Sequence, residues 1–192
     1  MPPIPPANAP AQIVAFRYAS YDVPFWVRPN TRPGRWNLPG EAPTQYWSLT
    51  PDGAWAELIR AEDLGSEQEL DLVRMSIWAC RVPCAMLVDL TREDARDAHG
   101  IGEPDLVGED RRACQALATR LRATSAKGLL SPSAALPGDV GLTLFGPRRA
   151  IDWRREPALA SAVPTARVAL GRPPEGLLER VRRSAAAHGR SR

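Results

Sequence analysis

The chain has 192 residues, enough for one domain with a substantial core and too few for two comfortable ones. Its 25 basic and 22 acidic side chains give a net charge of +3. No apolar run approaches the roughly 18 residues of a membrane span, and Met1-Pro2-Pro3-Ile4-Pro5-Pro6 lacks the parts of a secretory signal, so a cytoplasmic protein clear of the membrane is expected. Residues 1–12 form a Pro-rich terminus expected to be disordered. Ile13 to Tyr18 reads as a strand. Residues 24–43 hold Pro24, Pro29, Pro33, Gly34, Pro39, Gly40 and Pro43, an irregular stretch long enough to be functional or disordered, and Trp26 and Trp36 favour order. Tyr46 to Leu49 reads as a short strand. Thr50-Pro51 starts a helix, with a hydroxyl at the N-cap and proline in the first turn; it runs to Leu64, with Gly65 just past its end. Ala54, Leu58 and Trp55, Ile59 share its apolar face. A short helix is expected over Glu67–Val73, strands over Ser76–Val82 and Ala85–Leu90, and a polar helix capped by Thr91 and ending near Gly100. The clearest helix is Glu109–Thr124, striped by Ala113, Leu117 and Leu121. Strands follow at Gly128–Ala134, Val140–Phe145 and Ala166–Leu170, then a terminal helix over Glu175–Ala187.

Strands and helices do not strictly alternate, so the fold class is α+β, a single domain over residues 13–170 with an Arg-rich tail over 171–192. Lys127 is the only lysine. Six arginines and two glutamates stand from Gly171 to the end, so the excess positive charge lies in a tail that reads as solvated. That argues weakly for nucleic-acid binding by the domain, and a tail that contacts nucleic acid is a third reading of the chain.

Composition also removes chemistry. His99 and His188 are the only histidines, and neither is placed for a Ser-His-Asp or Cys-His site. Cys80, Cys84 and Cys114 match no zinc or disulfide pattern and read as reduced thiols, Cys114 facing the core; no metal is expected. There is no P-loop, and Gly100-Ile101-Gly102 completes no dinucleotide fingerprint. What remains is chemistry by Arg, Tyr, Glu and Ser. Four segments carry those residues: Phe16-Arg17-Tyr18, Gly34-Arg35-Trp36-Asn37, Tyr46 through Glu57, and Leu130-Ser131-Pro132-Ser133-Ala134. Arginine forks suit pyrophosphate, tyrosine rings a flat base, and a lone glutamate a ribosyl cation or ribose hydroxyl. Gly34 allows a tight turn and keeps space clear beside a ligand. Together they describe an NAD pocket without a Rossmann unit.

These pieces, with Gln115, Gly128-Leu129-Leu130-Ser131-Pro132-Ser133-Ala134 and Leu142-Thr143-Leu144-Phe145, resemble the RES-domain family, toxins of RES–Xre toxin–antitoxin pairs, over residues 13–155. The resemblance implies a fold similar to bacterial ADP-ribosyltransferases, with mixed or antiparallel sheets and flanking helices. It implies a toxin-like enzyme that takes NAD as substrate and cleaves the nicotinamide–ribose bond. The acceptor is phosphate, as in an NAD phosphorylase, or water; alternatives are ADP-ribosylation of a protein or a module that binds NAD without turnover. The family signature falls on Arg35, Glu57 and Ser133 as catalytic residues, with Arg17, Tyr18 and Tyr46 also binding NAD. The implied partner is an Xre/DUF2384-type antitoxin covering the site, through which alone nucleic acid is contacted. Ala135 and Gly138-Asp139-Val140-Gly141 depart from the family pattern, and Asp139 would repel inorganic phosphate if it faced the site.

Overall fold

The computed structural model describes residues 12–19, 30–83, 86–146 and 171–183. Six strands are β1 (Gln12–Ala19), β2 (Thr44–Ser48), β3 (Ser76–Pro83), β4 (Leu87–Asp89), β5 (Gly128–Pro132) and β6 (Val140–Phe145). They form one sheet in the order β3-β1-β2-β6-β5-β4, antiparallel throughout except for the β4–β5 pair. Among the described residues five helices flank it: α1 (Pro51–Ala61), α2 (Glu67–Leu72), α3 (Glu93–His99), α4 (Glu103–Val107) and α5 (Arg112–Arg122). The α+β expectation holds among the described residues. None of these helices is long and apolar enough to cross a membrane.

The element that carries Glu57 is α1, and its start follows the expected chemistry. Thr50 is extended at the N-cap and its side chain accepts the Gly53 N–H, with proline in the first turn. Ala54, Trp55, Ala56, Leu58 and Ile59 are all buried, packed with Leu70, Ile77, Ala135 and Leu136. Thr50→Ala should lower stability by about 1 kcal/mol, a fall in Tm of about 2–4 °C for a chain of this size by thermal melt. The helix stops at Ala61 rather than Leu64. Asp63 takes the left-handed turn at φ 55°, Leu64 N–H donates back to the Ile59 carbonyl, and Gly65 instead donates to the Glu69 carboxylate.

Other boundaries shift for local reasons. Thr91 does not cap α3; its N–H and hydroxyl both go to the Asp89 carboxylate, and Arg92 takes the N-cap place. Gly100 ends that helix at φ 63° as expected. Helix α4 was not expected at all: five residues with proline in the first turn carry no periodic signal. Helix α5 starts at Arg112, and its buried stripe is Cys114, Leu117, Ala118 and Leu121, with Ala113 exposed. Strand β5 ends at Pro132, so Ser133 and Ala134 lie in the turn beyond it.

The described part of the tail is packed rather than solvated. Leu177 and Val181 join the core under α1, and Met75 N–H donates to the Gly171 carbonyl. Arg172 pairs with Asp71 and Glu67, and Arg180 with Asp52. Instead of a long helix there is one 3-10 turn, Leu178–Arg180. Leucines at 177 and 178 give this segment an apolar anchor that its arginine content masks. The expected disorder before Gln12, Trp26, Cys84, the strand at 166–170 and the helix beyond Arg183 lie outside the described residues.

Candidate active site

Strands β1 and β2 share one residue pair, Phe16 opposite Ser48, before they splay. A cavity of about 490 Å³ opens there, walled by β1, the turn at Gly34–Asn37, β2, α1, the turn after β5, and Arg111. Arg17, Tyr18, Arg35, Tyr46, Glu57 and Ser133 all line it. Alternation along β1 predicts that Arg17 and Tyr18 face opposite sides. The splay resolves this, because both sides of β1 reach the opening.

The Gly34–Asn37 turn is a small closed unit. Gly34 N–H donates to the Asn37 carbonyl at 3.1 Å. The Tyr46 hydroxyl accepts Trp36 N–H at 3.0 Å and donates to Asn37 Oδ1 at 2.7 Å. Gln115 Nε2 donates to the Gly34 carbonyl at 2.9 Å, and Arg122 to the Trp36 carbonyl at 3.2 Å. Trp36 is buried against Leu106, Cys114 and Leu117. The turn is thus pinned to β2 and α5. A methyl group on Gly34 would lie 2.4 Å from both the Tyr46 hydroxyl and Asn37 Oδ1. The glycine makes room for these protein groups, not for a ligand as the sequence suggested. Burial pushes the Tyr46 phenol up to about 12, so it stays a neutral donor. Its hydroxyl belongs to the turn, and its ring is what it offers the cavity.

Arg35 leaves this turn toward α4. Its Nη2 donates to the Gly108 carbonyl at 2.7 Å and its Nη1 to the Asp105 carbonyl at 3.4 Å. Arg17 lies 5.8 Å from the Trp47 ring centroid, within cation–π range. Tyr18 has its ionisation raised by burial and then by the charge of Glu57.

Glu57 projects from α1 into this cationic surround. Among the described residues its carboxylate accepts no hydrogen bond. Burial raises its pKa, against the opposing pull of Arg60 and Arg35, and Asp139 adds to the rise. Ser133 has a visible structural duty: its Oγ accepts Leu136 N–H at 3.0 Å and Ala135 N–H at 3.2 Å. Among the described residues its hydroxyl proton has no acceptor. Ser131 is buried and does not line the cavity.

Two lining arginines escaped the sequence reading, Arg60 and Arg111. Arg60 follows Glu57 by three positions on α1, so helical spacing alone placed the two side by side. Arg60 donates to the Ala134 carbonyl and pairs with Glu109 at 2.6 Å. Nothing in the sequence around Arg111 marked it. Asp139, feared as a repellent for phosphate, does not line the cavity; a Cβ built on Gly53 would collide with its carboxylate, so it sits against the start of α1. Among the described residues, four arginines and two carboxylates, Glu57 and Asp63, face the cavity. That surround suits a ligand with several negative charges and one positive ring.

The family model described as RES domain matches residues 10–167. The chain is 35% identical over 164 residues to "Probable NAD(+) phosphorylase Rv3189" of Mycobacterium tuberculosis, covering 81% of this chain and 75% of that protein. It is 29% identical over 113 residues to "NAD(+) phosphorylase MbcT" of the same species, covering 58% of this chain and 59% of that one. Among solved structures, the M. tuberculosis MbcT–MbcA toxin–antitoxin complex contains a chain similar at a TM-score of 0.61 and 23% identity, over 79% of this chain and 90% of that one. At that identity the likeness speaks for the fold alone.

Proposed function

The chain belongs to the RES domain family, and we propose that it is a toxin-like enzyme that cleaves the nicotinamide–ribose bond of NAD, with phosphate as the preferred acceptor. The observation that carries this reading is the convergence of Arg17, Tyr18, Arg35, Tyr46, Glu57 and Ser133, four separate segments of the chain, on one cavity. A relative covering most of this chain is named as a probable NAD(+) phosphorylase, which supports the same reaction.

In this reading Arg17 and Arg35 hold the pyrophosphate, and the rings of Tyr18 and Tyr46 flank nicotinamide. Glu57, in its ionised form, stabilises the positive charge that grows on the ribose as nicotinamide leaves. Ser133 gives its remaining proton to the ribose or to the incoming nucleophile. Charge fixed before the substrate arrives is the main source of rate in this scheme. No step needs a metal. The reading extends to a fold related to bacterial ADP-ribosyltransferases, to transfer of the ADP-ribosyl group as the reaction class, and to action in the cytoplasm, where NAD is at hand. It also includes an Xre-type antitoxin that covers the cavity, since a structural neighbour was solved as a toxin–antitoxin complex.

The direct test incubates the purified protein with NAD, with and without phosphate, and identifies the products by mass. ADP-ribose-1″-phosphate and nicotinamide are expected with phosphate present. Intact NAD in both incubations overturns the reading. Arg35→Lys is expected to raise KM for NAD about tenfold with a smaller change in kcat, because an ammonium cannot reproduce the two-pronged contact. Steady-state kinetics on the variant checks this.

A further inference from the structure

Two of the arginines that face the cavity, Arg35 and Arg60, are engaged by one short segment. Residues 105–111 run from the last turn of α4 to the start of α5. The carbonyls of Asp105 and Gly108 occupy both prongs of Arg35. The Glu109 carboxylate pairs with Arg60 at 2.6 Å. Arg111 of the same segment lines the cavity, with a 3.5 Å contact to the Pro33 carbonyl.

The Arg60–Glu109 pair is lopsided. The Arg60 side chain is 9% exposed and is fixed from behind by the Ala134 carbonyl, next to Ser133, while Glu109 is 43% exposed on a loop. A buried guanidinium needs an anion at hand. An exposed carboxylate can supply one and then return to water at little cost. Pairing a buried cation with a part-exposed carboxylate is the arrangement an exchangeable anion site requires.

We infer that Arg60, with Arg111 beside it, is a binding site for a phosphate group, and that Glu109 is a built-in stand-in which the phosphate displaces. The inference rests on the proposed reading of the cavity as one that takes NAD and an anionic acceptor. Phosphate takes the place of the carboxylate on the Arg60 fork, so the buried charge stays neutralised throughout. Glu109 swings into solvent, and the 105–111 segment loses one of its ties to the cavity wall. The phosphate then lies beside Glu57 and Ser133. One of its oxygens forms the bond to ribose C1″, while the C1″–N electron pair departs with nicotinamide as a neutral base.

The test separates a competitor from a support. Inorganic phosphate and, in parallel, ADP-ribose are titrated into the full chain without NAD by calorimetry, for the wild type, Glu109→Gln and Arg60→Gln. Removing a competitor makes Glu109→Gln bind more tightly, by about three- to fivefold, the scale of a part-exposed ion pair. Arg60→Gln loses roughly tenfold or more. Tightening for phosphate but not ADP-ribose assigns the site to the acceptor; tightening for ADP-ribose alone assigns it to the substrate's pyrophosphate. If Glu109→Gln binds both ligands no better or worse than the wild type, Glu109 supports Arg60 rather than standing in for a ligand, and the inference is wrong. Glu109 is exposed, so this variant reports even if Arg60→Gln fails to fold. Nicotinamide release, measured separately, keeps a failure of the NAD reading distinct from a failure of this one.

Discussion

Replacing Glu57 by glutamine is expected to lower nicotinamide release from NAD by roughly a hundred- to ten-thousand-fold, the range lost when an active site's aligned charge is removed. Glutamine keeps the shape and the helix propensity but offers no charge to the ribosyl cation. The same substitution is expected to raise the melting temperature at neutral pH. Burial raises the pKa of Glu57 in the folded protein above its ordinary value of 4.5, so the folded state holds this proton more firmly than the unfolded chain. The stability linked to that proton is fully present below pH 4.5 and is lost as pH rises through the folded value. Ionised Glu57 is therefore a burden on the fold at neutral pH, and glutamine relieves it. The gap in melting temperature between variant and wild type should close as the pH falls to 4.5. The activity of the wild type should rise with pH through the same raised pKa, because the ionised form is the working one. A variant that melts lower than the wild type at neutral pH, or that keeps full activity, contradicts this account of Glu57.

Gly34→Ala is expected to cost roughly 2–4 kcal/mol of stability, from overpacking plus a hydrogen bond left unmade. Denaturant unfolding measures it. The new methyl would lie 2.4 Å from two polar atoms that are bonded to each other, the Tyr46 hydroxyl and Asn37 Oδ1. Asn37 has no free space to retreat into, since it is 1% exposed and its amide is tied to the Arg32 carbonyl. If Tyr46 moves, Trp36 N–H loses its acceptor. The backbone of Gly34 is not in the left-handed region, so φ strain plays no part and contact alone sets the effect. Tyr46→Phe combined with Gly34→Ala should be less damaging than the sum of the two, because the phenol oxygen is one half of the clash. Strict additivity would argue that the alanine acts elsewhere. Activity should fall with the turn, because Arg35 is the next residue and its direction depends on it.

Much of this site was legible in residue types. Near-absence of histidine and the lack of metal or phosphate-loop patterns left Arg, Tyr, Glu and Ser, and the order of those residues carried the family resemblance. The strands and the start of α1 were legible because their signals are local: alternation for the strands, and a hydroxyl followed by proline for the helix. Helix α4 was not, since five residues hold too little of a period to register. The packing of residues 171–183 was hidden for a related reason. Its arginines dominate the composition, while Leu177 and Val181, which hold it to the core, are two residues among many charges.

Residue types and local patterns supplied the inventory: elements of an α+β fold, Arg35 in a glycine-started turn and Glu57 on a capped helix. What those groups touch is set by packing. The tertiary structure showed that Gly34 makes way for Tyr46 rather than for a ligand, that Asp139 sits at the start of α1 away from the cavity, and that Arg60 and Arg111 join the cavity wall. It also showed that one segment, 105–111, holds Arg35 and Arg60. The reason is one of range. Caps and strand alternation are set by neighbours a few residues apart, whereas Arg35 meets Gly108 across 73 residues and Arg60 meets Glu109 across 49. Pairings at that distance are fixed by how the sheet and helices pack, and no local pattern encodes them.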